Sequence, residues 1–230
     1  FGRLLAIKVL HESHVGNAAM TARFIEEAQI TGQLQHPGIV PVHTMGRTSG
    51  GRPYFSMKLV KGQTLAVLLE RREVPAHERH RFLRIIEQVC QTLAYAHSRR
   101  VIHRDLKPSN IMVGAFGEVQ VMDWGLAKLL SRNAPAQPLP NDERTTIATI
   151  RSRSPADDSR TGSIMGTPSY MPPEQACGEV DALDERADVF GLGALLCEVL
   201  TGVPPYGGDT YREICDKARR GQLDEAFFRL

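Results

Sequence analysis

Apolar positions along the chain follow two rhythms. Leu4 to Leu10 reads Leu-Leu-Ala-Ile-Lys-Val-Leu, an apolar run with one charge, Lys8, and it predicts a strand. From Ala18 to Gln35 the spacing lengthens to three and four, so Phe24, Ala28, Ile30 and Leu34 share one broad helical face that stops before His36-Pro37. Val40 to Met45 and Pro53 to Val60 return to strand character around a turn at Ser49-Gly50-Gly51-Arg52. A short helix is predicted over Thr64 to Arg72 and a long one over His77 to His97. In the long helix Phe82, Ile85, Ile86, Val89, Leu93 and Ala96 form a single stripe with arginines opposite. Ile111 to Val113 and Glu118 to Met122 predict a small hairpin, Asp184 to Leu200 a buried helix ended by Thr201-Gly202, and Asp209 to Arg220 an amphipathic helix. Leu130 to Ile164 breaks both rhythms. It carries Pro135, Pro138, Pro140 and Pro155 among serines, threonines and scattered charges, and reads as mobile or disordered.

The chain has 230 residues, enough to bury a core in one large domain or two lobes. Its formal charge is only +2 and its basic residues are dispersed, which argues against a nucleic-acid groove. Cys90, Cys177, Cys197 and Cys215 lack paired spacing, so neither a zinc site nor a disulfide framework is expected, and a reducing cytoplasmic setting is the default. Phe1 opens directly into strand-like sequence, with no signal peptide. The most apolar stretch, Val189 to Leu200, contains Glu198 and is too short to cross a bilayer, so no membrane segment is expected within the chain, although an anchor could lie outside it.

The chemistry concentrates between residues 103 and 125. His-Arg-Asp-Leu-Lys-Pro-Ser-Asn (103 to 110) is followed by Val-Met-Asp-Trp-Gly (121 to 125). Two carboxylates, Asp105 and Asp123, a carboxamide, Asn110, and a cation, Lys107, suit phosphoryl transfer. One carboxylate orients a hydroxyl nucleophile, an acid and an amide oxygen suit hard Mg²⁺ ions, and a lysine neutralises charge on the moving group.

This stretch resembles the catalytic and metal-binding loops of the eukaryotic-type (Hanks-type) serine/threonine protein kinases. Phe-x-x-Glu-Ala from Phe24, followed by Leu-x-His-Pro-x-Ile-Val from Leu34, is similar to their bacterial branch. The resemblance implies an α+β, bilobal fold. Residues 1 to 60 would be a partial N-lobe with helix C and hinge. Residues 61 to 230 would be a mainly helical C-lobe with a long activation segment (123 to 174) and a central buried helix (184 to 200).

It implies site roles as well. Asp105, Lys107 and Asn110 would be catalytic, and Asn110 and Asp123 would bind Mg²⁺, with Mn²⁺ as a substitute. Lys8 would reach the α- and β-phosphates of ATP, held by Glu27, with Glu26 as rival; on strand character alone Lys8 could equally face solvent. Ala6 would cover the adenine, Met57 be the gatekeeper, Lys58, Leu59 and Val60 the hinge, and Met112 the floor. Where the family has phenylalanine after the metal-binding aspartate this chain has Trp124, expected to fill space left by Thr31. Asp188 would tie down the catalytic-loop backbone, and Thr167, in Gly-Thr-Pro-Ser-Tyr-Met-Pro-Pro-Glu (166 to 174), would bond Asp105 and Lys107. Arg104 would receive a phosphate placed on Thr161 or Ser163, which could also be plain linker hydroxyls.

Only Phe1 to Arg3 precede the Lys8 strand, so the Gly-rich loop and the last helices are expected outside this stretch, and the isolated fragment is expected to be weak or inactive. The implied function is transfer of the ATP γ-phosphoryl group to serine and threonine hydroxyls of proteins, with kinase–kinase dimers for trans-phosphorylation. A pseudokinase scaffold and a small-molecule phosphotransferase are the alternatives.

Overall fold

The structure is a computed structural model and describes residues 2–130, 147–149 and 165–230. A three-stranded antiparallel sheet, order β1-β3-β2, is built from Leu5–Val9 (β1), Val42–Arg47 (β2) and Pro53–Lys58 (β3). The helix Ala18–Gln33 (α1) packs on it. Asn17 caps that helix by accepting the Met20 amide, and Phe24 and Ala28 close over Leu10 and Phe55 beneath the sheet. The register sets Ala6 opposite Met57 and Lys8 opposite Phe55, so alternate residues of β1 share one face.

The rest is mainly helical. Leu65–Glu70 (α2), Arg79–Ser98 (α3) and Glu185–Thr201 (α5) surround the larger core, in which the predicted α3 stripe meets Leu195 and Val199. Asp184 caps α5 at its start, and Gly202 ends it with φ 81°, a left-handed conformation that glycine adopts without a Cβ penalty. Pro173–Ala176 (α4), Tyr211–Arg220 (α6) and Asp224–Arg229 (α7) complete the helices. The sequence pattern did not predict α7, a helix of only six residues. The long helix starts at Arg79 rather than His77 because Glu78 adopts φ 52°.

Two small sheets carry the loops between these parts. Ile111–Gly114 (β6) and Val119–Val121 (β7) form the expected hairpin, and Gly62–Thr64 (β4) adds an unexpected third strand along β6. Val101–Ile102 (β5) pairs with Lys128–Leu129 (β8), which fixes both ends of the stretch between them. These pairings join segments far apart in sequence and leave no local periodicity. The segment after α1 reaches the same place through Gly38, whose carbonyl accepts the Val121 amide at 2.8 Å. A Cβ on Gly38 would fall 2.0 Å from Thr92 Oγ1 on α3, so glycine is required there for close approach.

Of the stretch read as mobile from Leu130 to Ile164, most lies outside the described residues. Ile147 and Thr149 do not fit that reading, since both are buried, at 6% and 3% exposure, and Ile147 belongs to the larger core. An isolated isoleucine in polar sequence carries no periodic signal, and only its tertiary partners reveal it.

Candidate active site

Lys8 projects from β1 toward two carboxylates. Its Nζ lies 2.6 Å from Glu27 Oε1 on α1 and 3.1 Å from Asp123 Oδ1 after β7. Glu27 is the partner; Glu26 is also buried but lies on a different part of the helix surface. Burial opposes the Lys8 charge, but Glu27 and Asp123 outweigh it and hold the ammonium above the usual lysine pKa. Burial also tends to raise Asp123, yet Lys8 prevails and holds that carboxyl below the ordinary aspartate value. For Glu27 burial is the larger influence and Lys8 offsets it only in part, so its pKa stays raised. Lys8 and Glu27 thus both move upward although they are partners. The physical reason is that Glu27 is the more deeply buried of the two and also feels Asp123.

On the other side of the site the loop from His103 to Asn110 and Thr167 form a closed set of bonds. Asp105 Oδ2 lies 2.8 Å from Lys107 Nζ, and Lys107 donates to Thr167 Oγ1 at 3.0 Å. Thr167 in turn donates to Asp105 Oδ1 at 3.1 Å. Asn110 Nδ2 donates to the Asp105 carbonyl at 2.8 Å and to its Oδ2 at 3.1 Å. Both carboxylate oxygens of Asp105 are thereby oriented by neighbours.

The backbone beneath this set is held in an uncommon shape. Arg104 has φ 68° and Asp123 φ 58°, left-handed values that cost a non-glycine residue energy. Asp188, fully buried at the start of α5, accepts the His103 amide at 2.8 Å and the Arg104 amide at 2.9 Å, and its Oδ2 meets His97 Nε2 at 2.8 Å. Gln175 Nε2 donates to the Arg104 carbonyl at 2.7 Å, and Arg104 Nε donates to the Leu126 carbonyl.

His103 is wedged between two main-chain groups. Its Nδ1 accepts the Asp105 amide at 3.2 Å, so Nε2 carries the proton and donates to the Met122 carbonyl at 2.9 Å. Trp124 stands edge-on to His103 with ring centroids 4.7 Å apart, and its Nε1 donates to the Val121 carbonyl at 3.2 Å.

In the Asp-Trp-Gly turn Gly125 does not supply the positive φ. The structure puts the left-handed residue at Asp123 itself. Gly125 matters for space: a Cβ there would sit 3.2 Å from Glu27 Oε2 and 3.3 Å from Asp123 Oδ1.

The other predicted residues are distributed around this centre. Ala6 and Met57, half-buried, pair across β1 and β3; Lys58 and Leu59 are exposed and Val60 is half-buried. Met112, also half-buried, pairs with Gln120 and Thr64 in the second sheet. Thr161 and Ser163 lie outside the described residues. His97 and Gln175 were missed as supports of the loop from His103 to Asn110, because their partners are 91 and 71 residues away and no short motif contains both. A cavity of about 320 Å³ opens beside Lys107 and Thr167, lined also by Glu70, Tyr170 and Glu198. Tyr170 donates to Glu198 Oε2 at 2.7 Å there, and burial raises the Glu198 pKa more than Tyr170 and Arg72 lower it.

The donor set fits a hard divalent cation. Asp123 is half exposed and its carboxyl favours the ionised form. Asn110 uses its NH₂ group on Asp105, which leaves the amide oxygen as the donor atom.

A small antiparallel sheet with one helix, set against a helical body, and a lysine–carboxylate cleft between them define a two-lobed phosphotransferase fold. The protein kinase domain model matches residues 1–227, and the chain belongs to that family. It is 39% identical to the serine/threonine-protein kinase PknD of Chlamydia trachomatis over 89% of this chain and 22% of that protein. It is 32% identical to PknD of Protochlamydia amoebophila over 98% of this chain and 22% of the relative. Against the serine/threonine-protein kinase PknB of Mycobacterium tuberculosis the identity is 36%, over 90% of this chain and 30% of the relative. The chain therefore spans between a fifth and a third of the length of these curated relatives.

Proposed function

We propose that the protein transfers the ATP γ-phosphoryl group to serine and threonine hydroxyls of other proteins. One observation carries this reading: a lysine bonded to both Glu27 and Asp123, together with Asp105, Lys107, Asn110 and Thr167 bonded as one set. In this scheme the acceptor hydroxyl approaches Asp105, whose carboxylate orients it and takes its proton as the new oxygen–phosphorus bond forms and the bond to ADP breaks. Lys107 neutralises charge on the transferred group, while Lys8, fixed by Glu27, holds the α- and β-phosphates. Ala6, Met57, Met112 and the main chain of Lys58, Leu59 and Val60 enclose the adenine. The Lys58 amide is already bonded to the Pro41 carbonyl at 3.1 Å, so that residue offers its carbonyl only. Asn110 and Asp123 would hold Mg²⁺ or Mn²⁺, which supplies charge neutralisation between the phosphates when bound. A protein acceptor would enter along the cavity beside Lys107 and Thr167.

The lobe boundary falls between residues 60 and 61 in this reading, with an activation segment from 123 to 174. Phosphorylation of Thr161 or Ser163, received by Arg104, would regulate the enzyme, in trans between two copies. No transmembrane-length apolar helix occurs among the described residues, and a cytoplasmic kinase domain is the location proposed.

The test uses the full-length protein with labelled ATP and a protein acceptor. Asp105→Asn should lower transfer by about 10²-fold or more while ATP still binds. Transfer at the wild-type rate by that variant would overturn the assignment, and ATP binding without transfer by the wild type would favour a pseudokinase scaffold.

A further inference from the structure

The tripeptide Ile147-Ala148-Thr149 is set against α1 by contacts that the catalytic reading does not use. Gln33, in the last turn of α1, binds the main chain of Ala148 at two points. Its Nε2 donates to the Ala148 carbonyl at 2.8 Å, and its Oε1 accepts the Ala148 amide at 3.0 Å. A side-chain amide thereby reproduces the paired bonds that a neighbouring strand would make. Ile147 enters the core that contains Ile30, Leu34 and Trp124, and Thr149 is buried as well.

A second contact lies further up the same helix. Arg23 Nη1 reaches Met165 Sδ at 3.0 Å. Arg23, Glu26, Ile30 and Gln33 follow a spacing of three, four and three, which places them on one face of α1. Glu26 is buried at 9% on that face. Glu27 sits beside the same stripe and holds Lys8.

We propose that residues 147–149 act as an intrachain strut that holds α1 against the body of the molecule, and that Gln33 is a positioning residue for the Lys8–Glu27 pair. The strut links the segment between Asp123 and Glu174 to the lysine on the opposite lobe. Undocking it frees α1 to carry Glu27 away from Lys8. The strut regulates the phosphoryl-transfer site and in that respect rests on the function proposed above.

Hydrogen exchange on the full-length protein reads the strut without requiring activity. In the wild type the Ala148 amide should be protected. Gln33→Ala removes both bonds at an exposed position where alanine favours the helix, so folding should be retained. In that variant the Ala148 amide should exchange about tenfold faster or more, and the amides of residues 27 to 31 about threefold faster, with the His103 and Arg104 amides unchanged. KM for ATP should rise about three- to tenfold with a smaller change in kcat. Gln33→Glu keeps the acceptor for the Ala148 amide, loses the donor, and should fall between the two. An unprotected Ala148 amide in the wild type would overturn the strut. Protection lost in Gln33→Ala with residues 27 to 31 and KM both unmoved would overturn the positioning role. A wild type that transfers no phosphoryl group would remove the functional reading alone, because the exchange rates still decide whether the strut exists.

Discussion

At Lys8 one ammonium acts on the ionisation of two carboxyls, Glu27 and Asp123, that are far from it in sequence. The ammonium opposes the effect of burial on each of them. Lys8→Met should therefore raise both carboxyl pKa values, which a carboxyl-carbon NMR titration would measure; unmoved titrations would disprove the coupling. The sign carries into stability. Asp123 is depressed in the folded protein, so its contribution is fully present above the unfolded aspartate pKa and is lost as pH falls through the folded value. Lys8 is raised, so its contribution is present below the unfolded lysine pKa and is lost as pH rises through the folded value. In Lys8→Met the acid-side dependence from Asp123 should shrink. Asp105, Lys107 and Asn110 were legible at this scale because all three sit within one hexapeptide. The bonds of Asp188 to the two amides before Asp105 complete that loop from 84 and 85 residues away.

Helix α1 and the turn after β7 meet as elements. Trp124–Leu126 forms a single turn packed on α1, and the Thr31 hydroxyl is turned inward to the Glu27 carbonyl at 2.7 Å. The indole, at 2% exposure, belongs to the larger core, where a smaller ring would leave a void. Trp124→Phe should lose the bond to the Val121 carbonyl and open a cavity, costing about 1–3 kcal/mol. Urea unfolding measures this directly, and unchanged stability and activity would show that the larger ring has no such role. The helices and strands themselves were legible from apolar spacing, with ends shifted by one or two residues where caps intervene. Strands β4, β5 and β8 were not, because two- and three-residue strands are too short to show alternation and exist only through their partners.

For the whole molecule the decisive quantity is the approach of the sheet-bearing lobe to the helical one. The Lys8–Asp123 contact spans 115 residues, and ATP bound across it would stabilise the folded form by linkage. Mg²⁺ with ATP at about 100-fold over Kd should add about 2.7 kcal/mol, seen as a rise in Tm. EDTA should remove most of that rise, and Lys8→Met should blunt it. A rise insensitive to both would place the nucleotide elsewhere. The sequence by itself determined the longer strands and helices and the identity of the chemical groups, since apolar periodicity and a run of closely spaced polar residues are local properties. Tertiary structure decided which acid faces Lys8, which residues bear the left-handed strain, what His97 and Gln175 hold, and that Ile147 is core. Each of these depends on atoms brought together from distant parts of the chain, and packing, rather than proximity along the backbone, selects among the partners available.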